Sequence, residues 1–144
     1  MKTYKGKYTP TNPRKYRGNP SNIIYRSSWE RKFMVYCDTT NSILEWGSEE
    51  IIIPYLSPWD GKMHRYFPDF YIKVKQSTGK IKKFIIEVKP KNQTRPPKPV
   101  SRKTINEVKT YSINEAKWKS AKKWCDHNDM EFKILTEDEL GIRF

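Results

Sequence analysis

The sequence predicts an α/β fold in which a mixed central β-sheet is flanked by helices. Three observations support it: an apolar stripe at helical spacing near residue 30, strand-like apolar runs between residues 43 and 88, and a helical stretch before a last short strand. The order helix, strands, helix, strand is typical of a sheet covered by helices. At 144 residues, the chain is long enough for one domain with a substantial core.

The first 22 residues are basic and contain no acid. Proline, glycine and asparagine interrupt them, so we predict a flexible basic arm over residues 1–22 and the main domain over residues 23–144. Tyrosines alternate with the cations, as expected of a segment that binds a polyanion. Arg14, Lys15 and Arg17 are its candidate DNA contacts. The alternative is a solvated tail that only aids solubility.

The stretch "SSWERKFMVYCDTT" predicts the first helix, because Trp29, Phe33, Tyr36 and Cys37 form one apolar stripe at helical spacing. Ser27 can cap this helix, with Glu30 placed as a capping box requires.

The strands follow in three stretches. "SILEWGSEEIIIPYLS" predicts one or two short strands bent near Gly47, and "HRYFPDFYIKV" predicts the next strand, with a bulge or edge position at Pro68. "QSTGK" is a turn, so "KIKKFIIEVKP" is expected to pair with the preceding strand as a hairpin.

The last part of the chain predicts a loop, a helix and a strand. "KNQTRPPKPVSRK" is basic and broken by prolines, which indicates a loop. Residues 104–127 are expected to be helical, with a break near Ser112, and "EFKILT" is the final strand.

The composition narrows the class of function. Lys and Arg outnumber Asp and Glu by 29 to 16, the net charge is +13 and the mean hydropathy is −0.92. Such a balance favours a polyanionic partner, above all nucleic acid. No apolar run approaches the roughly 18 residues of a membrane span, and we expect no membrane partner. Cys37 and Cys125 are expected to be buried free thiols, which indicates a reducing cytoplasm.

Charged residues in an otherwise apolar strand indicate the site. Glu87 and Lys89 are two residues apart and share one face of the strand, while Ile86 and Val88 face the core. The antiparallel partner strand can bring Asp69 to the same end of that face. Two carboxylates that converge near a lysine suit Mg²⁺, and in a basic protein the natural substrate is a phosphodiester.

These residues carry a family resemblance. Pro68-Asp69, followed by Glu87-Val88-Lys89, resembles the signature of the PD-(D/E)XK nuclease superfamily. The arrangement "YRSSWERKF … W … IPY … RYFPDFYI … IIEVKP" over residues 23–135 is similar to the transposon end-cleaving endonuclease subunits of that superfamily. Nearly the whole chain, including "NEAKWKSAKKWC", resembles the head completion nucleases of large contractile-tailed phages.

The resemblance implies a restriction-endonuclease-like core and a Mg²⁺-dependent endonuclease in which Mn²⁺ can substitute. It implies that Asp69 and Glu87 are metal ligands, that Lys89 positions the attacking water and that Glu30 completes the site. The implied partners are double-stranded DNA and phage portal or neck proteins. The implied locations are the virion and the host cytoplasm, and residues 23–144 would form the nuclease domain.

Alternatives stay open for each residue. Asp69 could end a bulge after Pro68, Glu87 and Lys89 could form an exposed ion pair, and a helix cap explains Glu30 completely. Arg26 and Arg65 flank the acidic positions and are further candidates for contact with phosphate. Two other functions stay open: a structural virion protein that docks or seals at the portal, and a transposase-like strand-cleaving subunit.

Overall fold

The structure is a computed structural model, which describes residues 5–97 and 103–140 and omits the side chains of residues 103, 104 and 140. Two short 3₁₀ turns span Pro13–Lys15 and Lys91–Thr94. The other elements are β1 Gly6–Tyr8, β2 Ile23–Tyr25, α1 Ser28–Thr39, β3 Ile43–Ser48, β4 Ile53–Leu56, β5 Met63–Tyr66, β6 Phe70–Lys75, β7 Ile81–Val88, α2 Lys103–His127, β8 Glu131–Leu135 and α3 Glu137–Leu140.

Four strands form the central sheet in the order β3-β6-β7-β8. The β3–β6 and β6–β7 pairs are antiparallel, whereas β7 and β8 are parallel, so the sheet is mixed. The predicted fold class, a mixed sheet flanked by helices, is confirmed. The hairpin predicted from "QSTGK" is the β6–β7 pair, and Gly79 in its turn has a φ of +86°, which favours glycine.

Both faces of the sheet are buried. Phe70 and Ile86 pack with α1 in one core, and Tyr71 and Ile85 pack with α2 in the other. Side chains alternate along a strand, so neighbouring residues of β7 enter different cores. Glu87 follows this alternation and therefore lies on the face that α2 covers.

The first helix is confirmed, but one member of its predicted stripe is wrong. The Ser27 side chain caps α1 by accepting a hydrogen bond from the backbone N–H of Glu30 at 3.1 Å. Trp29, Phe33 and Cys37 are buried, whereas Tyr36 is 51% exposed and the fully buried neighbour is Met34. The buried surface of α1 is thus rotated slightly from the predicted stripe.

The bend predicted near Gly47 lies two residues later, because β3 continues through Gly47 to Ser48. A side chain at position 47 would lie 3.1 Å from the carbonyl oxygen of Arg17, whose own N–H donates to the Trp46 carbonyl oxygen at 2.7 Å. Glycine is therefore needed for the close approach of another segment. The chain turns instead at Glu49, which has a φ of 55°.

The single strand predicted for "HRYFPDFYIKV" is two strands. β5 ends at Tyr66 and pairs with β4 in a separate two-stranded sheet, whereas β6 starts at Phe70 in the central sheet. Pro68 lies in the break, where its missing N–H costs no ladder hydrogen bond. The break delivers Asp69 to the start of β6.

The second helix is longer and more regular than expected. α2 runs from Lys103 to His127 without a break at Ser112, whose hydroxyl donates to the Val108 carbonyl oxygen at 2.8 Å within the helix. The predicted last strand is β8. Of the predicted basic loop, residues 98–102 lie outside the described part of the chain.

Part of the basic segment at the start of the chain packs against the sheet, although its flexibility when free stays a prediction. Tyr8 and Tyr16 are buried in the same core as Trp46. The tyrosine hydroxyl of Tyr8 donates to the Asp38 carboxylate at 2.6 Å. Two buried aromatic anchors thus fix residues 5–22, and residues 1–4 lie outside the described part.

Two further observations complete the fold. Cys37 and Cys125 are buried free cysteines, as expected. Within residues 5–97 and 103–140, no helix has the length and apolar character needed to cross a membrane.

We predict that Asp38→Asn lowers the free energy of unfolding by about 2–4 kcal/mol at pH 7. Asp38 is fully buried and accepts hydrogen bonds from Tyr8 and from the backbone N–H groups of Thr11 and Asn12 at 2.6–2.9 Å. Burial alone would raise the pKa of Asp38, but these hydrogen bonds outweigh it and hold the pKa below its usual range. The measurement is urea unfolding of both proteins.

The sign of the pH dependence follows from this lowered pKa. The carboxylate stabilises the fold above its unfolded pKa of about 3.9 and loses that contribution as the pH falls through the folded value. The difference in the free energy of unfolding between wild type and Asp38→Asn should therefore become smaller below about pH 4. A difference that stays constant down to pH 2 would contradict this assignment.

Candidate active site

Asp69 and Glu87 converge at the end of the β6–β7 hairpin. Phe70 pairs with Ile86, so the next position places Asp69 opposite Glu87. One Asp69 carboxylate oxygen accepts a hydrogen bond from the backbone N–H of Val88 at 2.7 Å. Asp69 is partly exposed and Glu87 is only 5% exposed, so the pair lies at the mouth of the α2-covered core.

The backbone of Asp69 is also fixed from the other side. Its carbonyl oxygen accepts from the N–H of Glu49 at 3.2 Å, which extends the β3–β6 pairing past the end of β3. Asp69 is thus held between β3 and β7, the two neighbours of β6. The alternative that Asp69 only ends a bulge does not account for its carboxylate contact with β7.

The indole of Trp118 orients Glu87. Its N–H donates to Oε2 of Glu87 at 3.3 Å, inside the core between the sheet and α2. The sequence marks Trp118 only as an inner residue of its helix, and no local pattern indicates that it contacts a residue in β7. Trp118 thus fixes one carboxylate oxygen of Glu87 from the side of α2.

Tyr66 is a second aromatic neighbour that the sequence reasoning missed. Its hydroxyl is buried beside Glu87, within reach of that carboxylate. Burial, followed by the charges of Glu87 and Asp69, raises the pKa of Tyr66 strongly, so the hydroxyl stays protonated. A fixed donor therefore lies beside the two carboxylates.

The electrostatics of the pair favour a cation. Burial raises the pKa of Asp69 well above its usual range, and the neighbouring Glu87 charge, a carboxyl–carboxylate hydrogen bond and the charge of Glu30 add to this effect. A divalent cation between the carboxylates would relieve their repulsion. The described residues contain no group of three or more His, Cys, Asp or Glu placed to hold a metal. Two carboxylates with other oxygen ligands from water and phosphate suit Mg²⁺, so the residues fit this ion.

Lys89 follows the end of β7 on the same face as Glu87. Its backbone N–H donates to the carbonyl oxygen of Leu135 at 3.0 Å, which extends the parallel pairing with β8. Its side chain is half-buried, and no salt bridge joins it to Glu87, although the structure describes both residues. The alternative of an exposed Glu87–Lys89 ion pair is therefore wrong.

Glu30 caps its helix and faces the site. Its backbone N–H bonds to Ser27, and one of its carboxylate oxygens accepts from the backbone N–H of Arg26 at 3.4 Å. Burial raises the pKa of Glu30, and the charge of Glu30 in turn contributes to the raised pKa of Asp69. Glu30 therefore takes part in the cap and also contributes to the electrostatics of the site.

Two candidate DNA contacts lie close to the acidic positions. The guanidinium of Arg26 forms an ion pair with Glu49 at 2.6 Å, and the charges of Glu30 and Asp69 also raise the pKa of Arg26. Arg65 lies over the ring of Phe67 at 5.9 Å. Both side chains are exposed beside the segment that carries Asp69.

The three candidate DNA contacts near the start of the chain differ from one another. Lys15 caps the end of α1, because its ammonium donates to the carbonyl oxygens of Cys37, Asp38 and Thr40 at 2.7–3.1 Å. Arg17 lies 3.7 Å from the Glu45 carboxylate and over the ring of Tyr71 at 5.2 Å. Arg14 is exposed. Lys15 is thus used within the protein, while Arg14 and Arg17 remain at the surface.

Comparison with known proteins agrees with this geometry. Residues 40–137 match the family described as TnsA-like endonuclease N terminal. The chain is also 43% identical to the head completion nuclease of Enterobacteria phage T4, and the match covers 95% of this chain and 93% of that protein. Both resemblances inferred from the sequence are therefore confirmed. The family match begins after Glu30 and carries no information on that residue.

We predict that Asp69→Asn raises the melting temperature by about 3–6 °C at pH 7 without divalent cations. The raised pKa means that ionised Asp69 costs folding free energy, while asparagine keeps the acceptor for Val88 without the charge. The rise in melting temperature should vanish below about pH 4, where the Asp69 carboxyl is protonated in both the folded and the unfolded state. The exposed Glu131→Gln serves as the control in thermal melts, and a lower melting temperature for Asp69→Asn would refute the raised pKa.

Proposed function

The chain belongs to the TnsA-like endonuclease family, and on that premise we propose that it is a divalent-cation-dependent endonuclease that hydrolyses phosphodiester bonds in double-stranded DNA. The observation that carries the proposal is the convergence of Asp69, Glu87 and Lys89 at one end of the β6–β7 hairpin. A net charge of +13 supports a polyanionic substrate.

The two carboxylates would hold the cation, with Mg²⁺ as the expected ion and Mn²⁺ as its substitute. Val88 fixes one oxygen of Asp69, Trp118 fixes one oxygen of Glu87, and the hydrogen bond between the two carboxyl groups holds them together where a cation would lie. When bound, Mg²⁺ would neutralise charge at the phosphate and lower the pKa of the attacking water.

Lys89 would act on the water and the phosphate. Its ammonium lies on the same face as Glu87 and is free of an ion pair with that residue, so it can donate to an incoming water or to a phosphate oxygen. In the reaction, the water oxygen bonds to phosphorus, one phosphorus–oxygen bond breaks and the leaving oxygen takes up a proton. Arg26 and Arg65 would bind the flanking phosphates.

The biological role follows from the relative. The similar phage T4 protein is named a head completion nuclease. By analogy, this chain would act in the host cytoplasm and in the virion, after DNA packaging, together with portal or neck proteins.

We predict that Asp69→Ala, Glu87→Gln and Lys89→Ala each reduce plasmid nicking by about 100-fold or more while leaving the fold intact. Addition of Mg²⁺ should raise the melting temperature of the wild type and of Lys89→Ala, because a ligand that binds only the folded state stabilises it. The two acid variants should lose that increase.

The matched controls are Lys83→Ala, on β7 and on the face that Lys89 continues, and Glu131→Ala, on the neighbouring strand. Both should nick DNA at the wild-type rate. Full cleavage by any of the three site variants would remove its residue from the proposed site. Wild type that nicks equally well in EDTA would remove the cation from the reaction.

Glu30→Gln separates the catalytic role of Glu30 from its capping role. Glutamine still fits a capping box, so the free energy of unfolding should change by less than about 0.5 kcal/mol. If Glu30 completes the cation site, nicking should fall at least about 10-fold because the amide binds a cation poorly. Unchanged nicking by a stable Glu30→Gln protein would leave Glu30 as a helix cap alone.

A further inference from the structure

A polar cavity of about 470 Å³ lies beside the active site. One wall is the 3₁₀ turn Lys91–Thr94, which starts two residues after Lys89, and the other wall is α2. Asn114 lines the cavity one helical turn before Trp118, whose indole binds Glu87. Since one turn rises about 5.4 Å, the cavity adjoins the carboxylate pair along the helix.

The lining is unusual for such a basic protein. Neutral amides and a hydroxyl dominate it, with Tyr111 as an aromatic wall, and the described lining residues include one cation, Arg95, and one acid, Glu107. A site for phosphate would be built from lysine and arginine. Carboxamides donate and accept at once, as the edges of nucleobases do. The amide and hydroxyl residues are Asn92, Gln93, Asn106, Thr110 and Asn114.

Asn114 indicates that the cavity takes a ligand. It is only 7% exposed, yet its carboxamide makes no hydrogen bond with another described residue. A carboxamide on the cavity wall offers both a donor and an acceptor, which suits a polar ligand. The wall opposite is held in place, because Lys91 contacts α3 through an ion pair with Asp138 at 3.1 Å and a backbone hydrogen bond to Glu137 at 2.8 Å.

We propose that this cavity is a subsite for a single unpaired nucleobase next to the scissile phosphate. The inference rests on the proposed nuclease function and specifies its substrate. A volume of about 470 Å³ lies in the range of small-ligand sites, roughly 300–1,000 Å³. A base within an intact duplex cannot enter such a cavity without leaving its stack, whereas an unpaired base enters at much lower cost. The enzyme should therefore prefer DNA with an unpaired nucleotide beside the cut.

The test compares three labelled substrates of one sequence: a fully paired duplex, the same duplex with one unpaired nucleotide, and that duplex with an abasic residue at the unpaired position. For wild type we expect kcat/KM to be about 10-fold higher on the unpaired substrate than on the paired one. The abasic substrate should lose this advantage, because it has no base to fill the cavity. Asn114→Leu should reduce the ratio of kcat/KM on unpaired DNA to kcat/KM on paired DNA to about 1. Ser120→Ala, on the same helix outside the cavity, should keep this ratio at about 10.

A binding measurement keeps the inference independent of cleavage. In EDTA, a 2-aminopurine at the unpaired position should change its fluorescence on binding wild type and not on binding Asn114→Leu. Circular dichroism checks the fold of the variant, and Asn114→Asp replaces it if the leucine variant unfolds. Equal rates on paired and unpaired DNA, or equal rates with and without the base, would overturn the subsite. Loss of cleavage on all three substrates, with the fluorescence change retained, would instead overturn the nuclease function and leave the subsite standing.

Discussion

The rest of the site depends on one unfavourable contact, the approach of the Asp69 and Glu87 carboxylates at the end of the hairpin. The β6–β7 register places them opposite each other, and burial raises the pKa of Asp69. A stable fold would normally exclude such a pair, because two buried like charges repel. The loss of folding free energy has a use if the pair binds a cation, because a cation between the two carboxylates would relieve their repulsion and would therefore bind more tightly.

The surrounding elements hold this contact in place. The proline break at Pro68 delivers Asp69, Val88 fixes one of its oxygens, and Trp118 fixes one oxygen of Glu87. These supports come from the strands and from α2, which are parts of the core, so the geometry of the site is as rigid as the core itself. One oxygen of each carboxylate is thus held by the protein before any ligand arrives, which would lower the entropic cost of binding a cation.

The sequence predicted what depends on local periodicity and failed where distant segments meet. Strand alternation was enough to place Glu87 and Lys89 on one face, and the turn before β7 was enough to pair it with β6. Local sequence patterns did not show that Tyr8 and Tyr16 enter the core. Their partners Asp38 and Trp46 lie about 30 residues away in the chain. The contact of Trp118 with Glu87 and the amide-lined cavity at Asn114 also arise only from tertiary packing. The roles of all the site residues, from Asp69, Glu87 and Lys89 to Glu30 and the surface arginines, depend on ligands rather than on the fold, so they remain predictions.

The most direct test of the account is an anomalous diffraction measurement on crystals of the protein soaked in Mn²⁺. Mn²⁺ favours the same oxygen ligands as Mg²⁺ and scatters strongly enough to be located without ambiguity. If Asp69 and Glu87 hold the cation, an anomalous peak should appear between their carboxylates and should disappear in crystals of Asp69→Asn. A peak elsewhere in the chain with none between these two residues would contradict it.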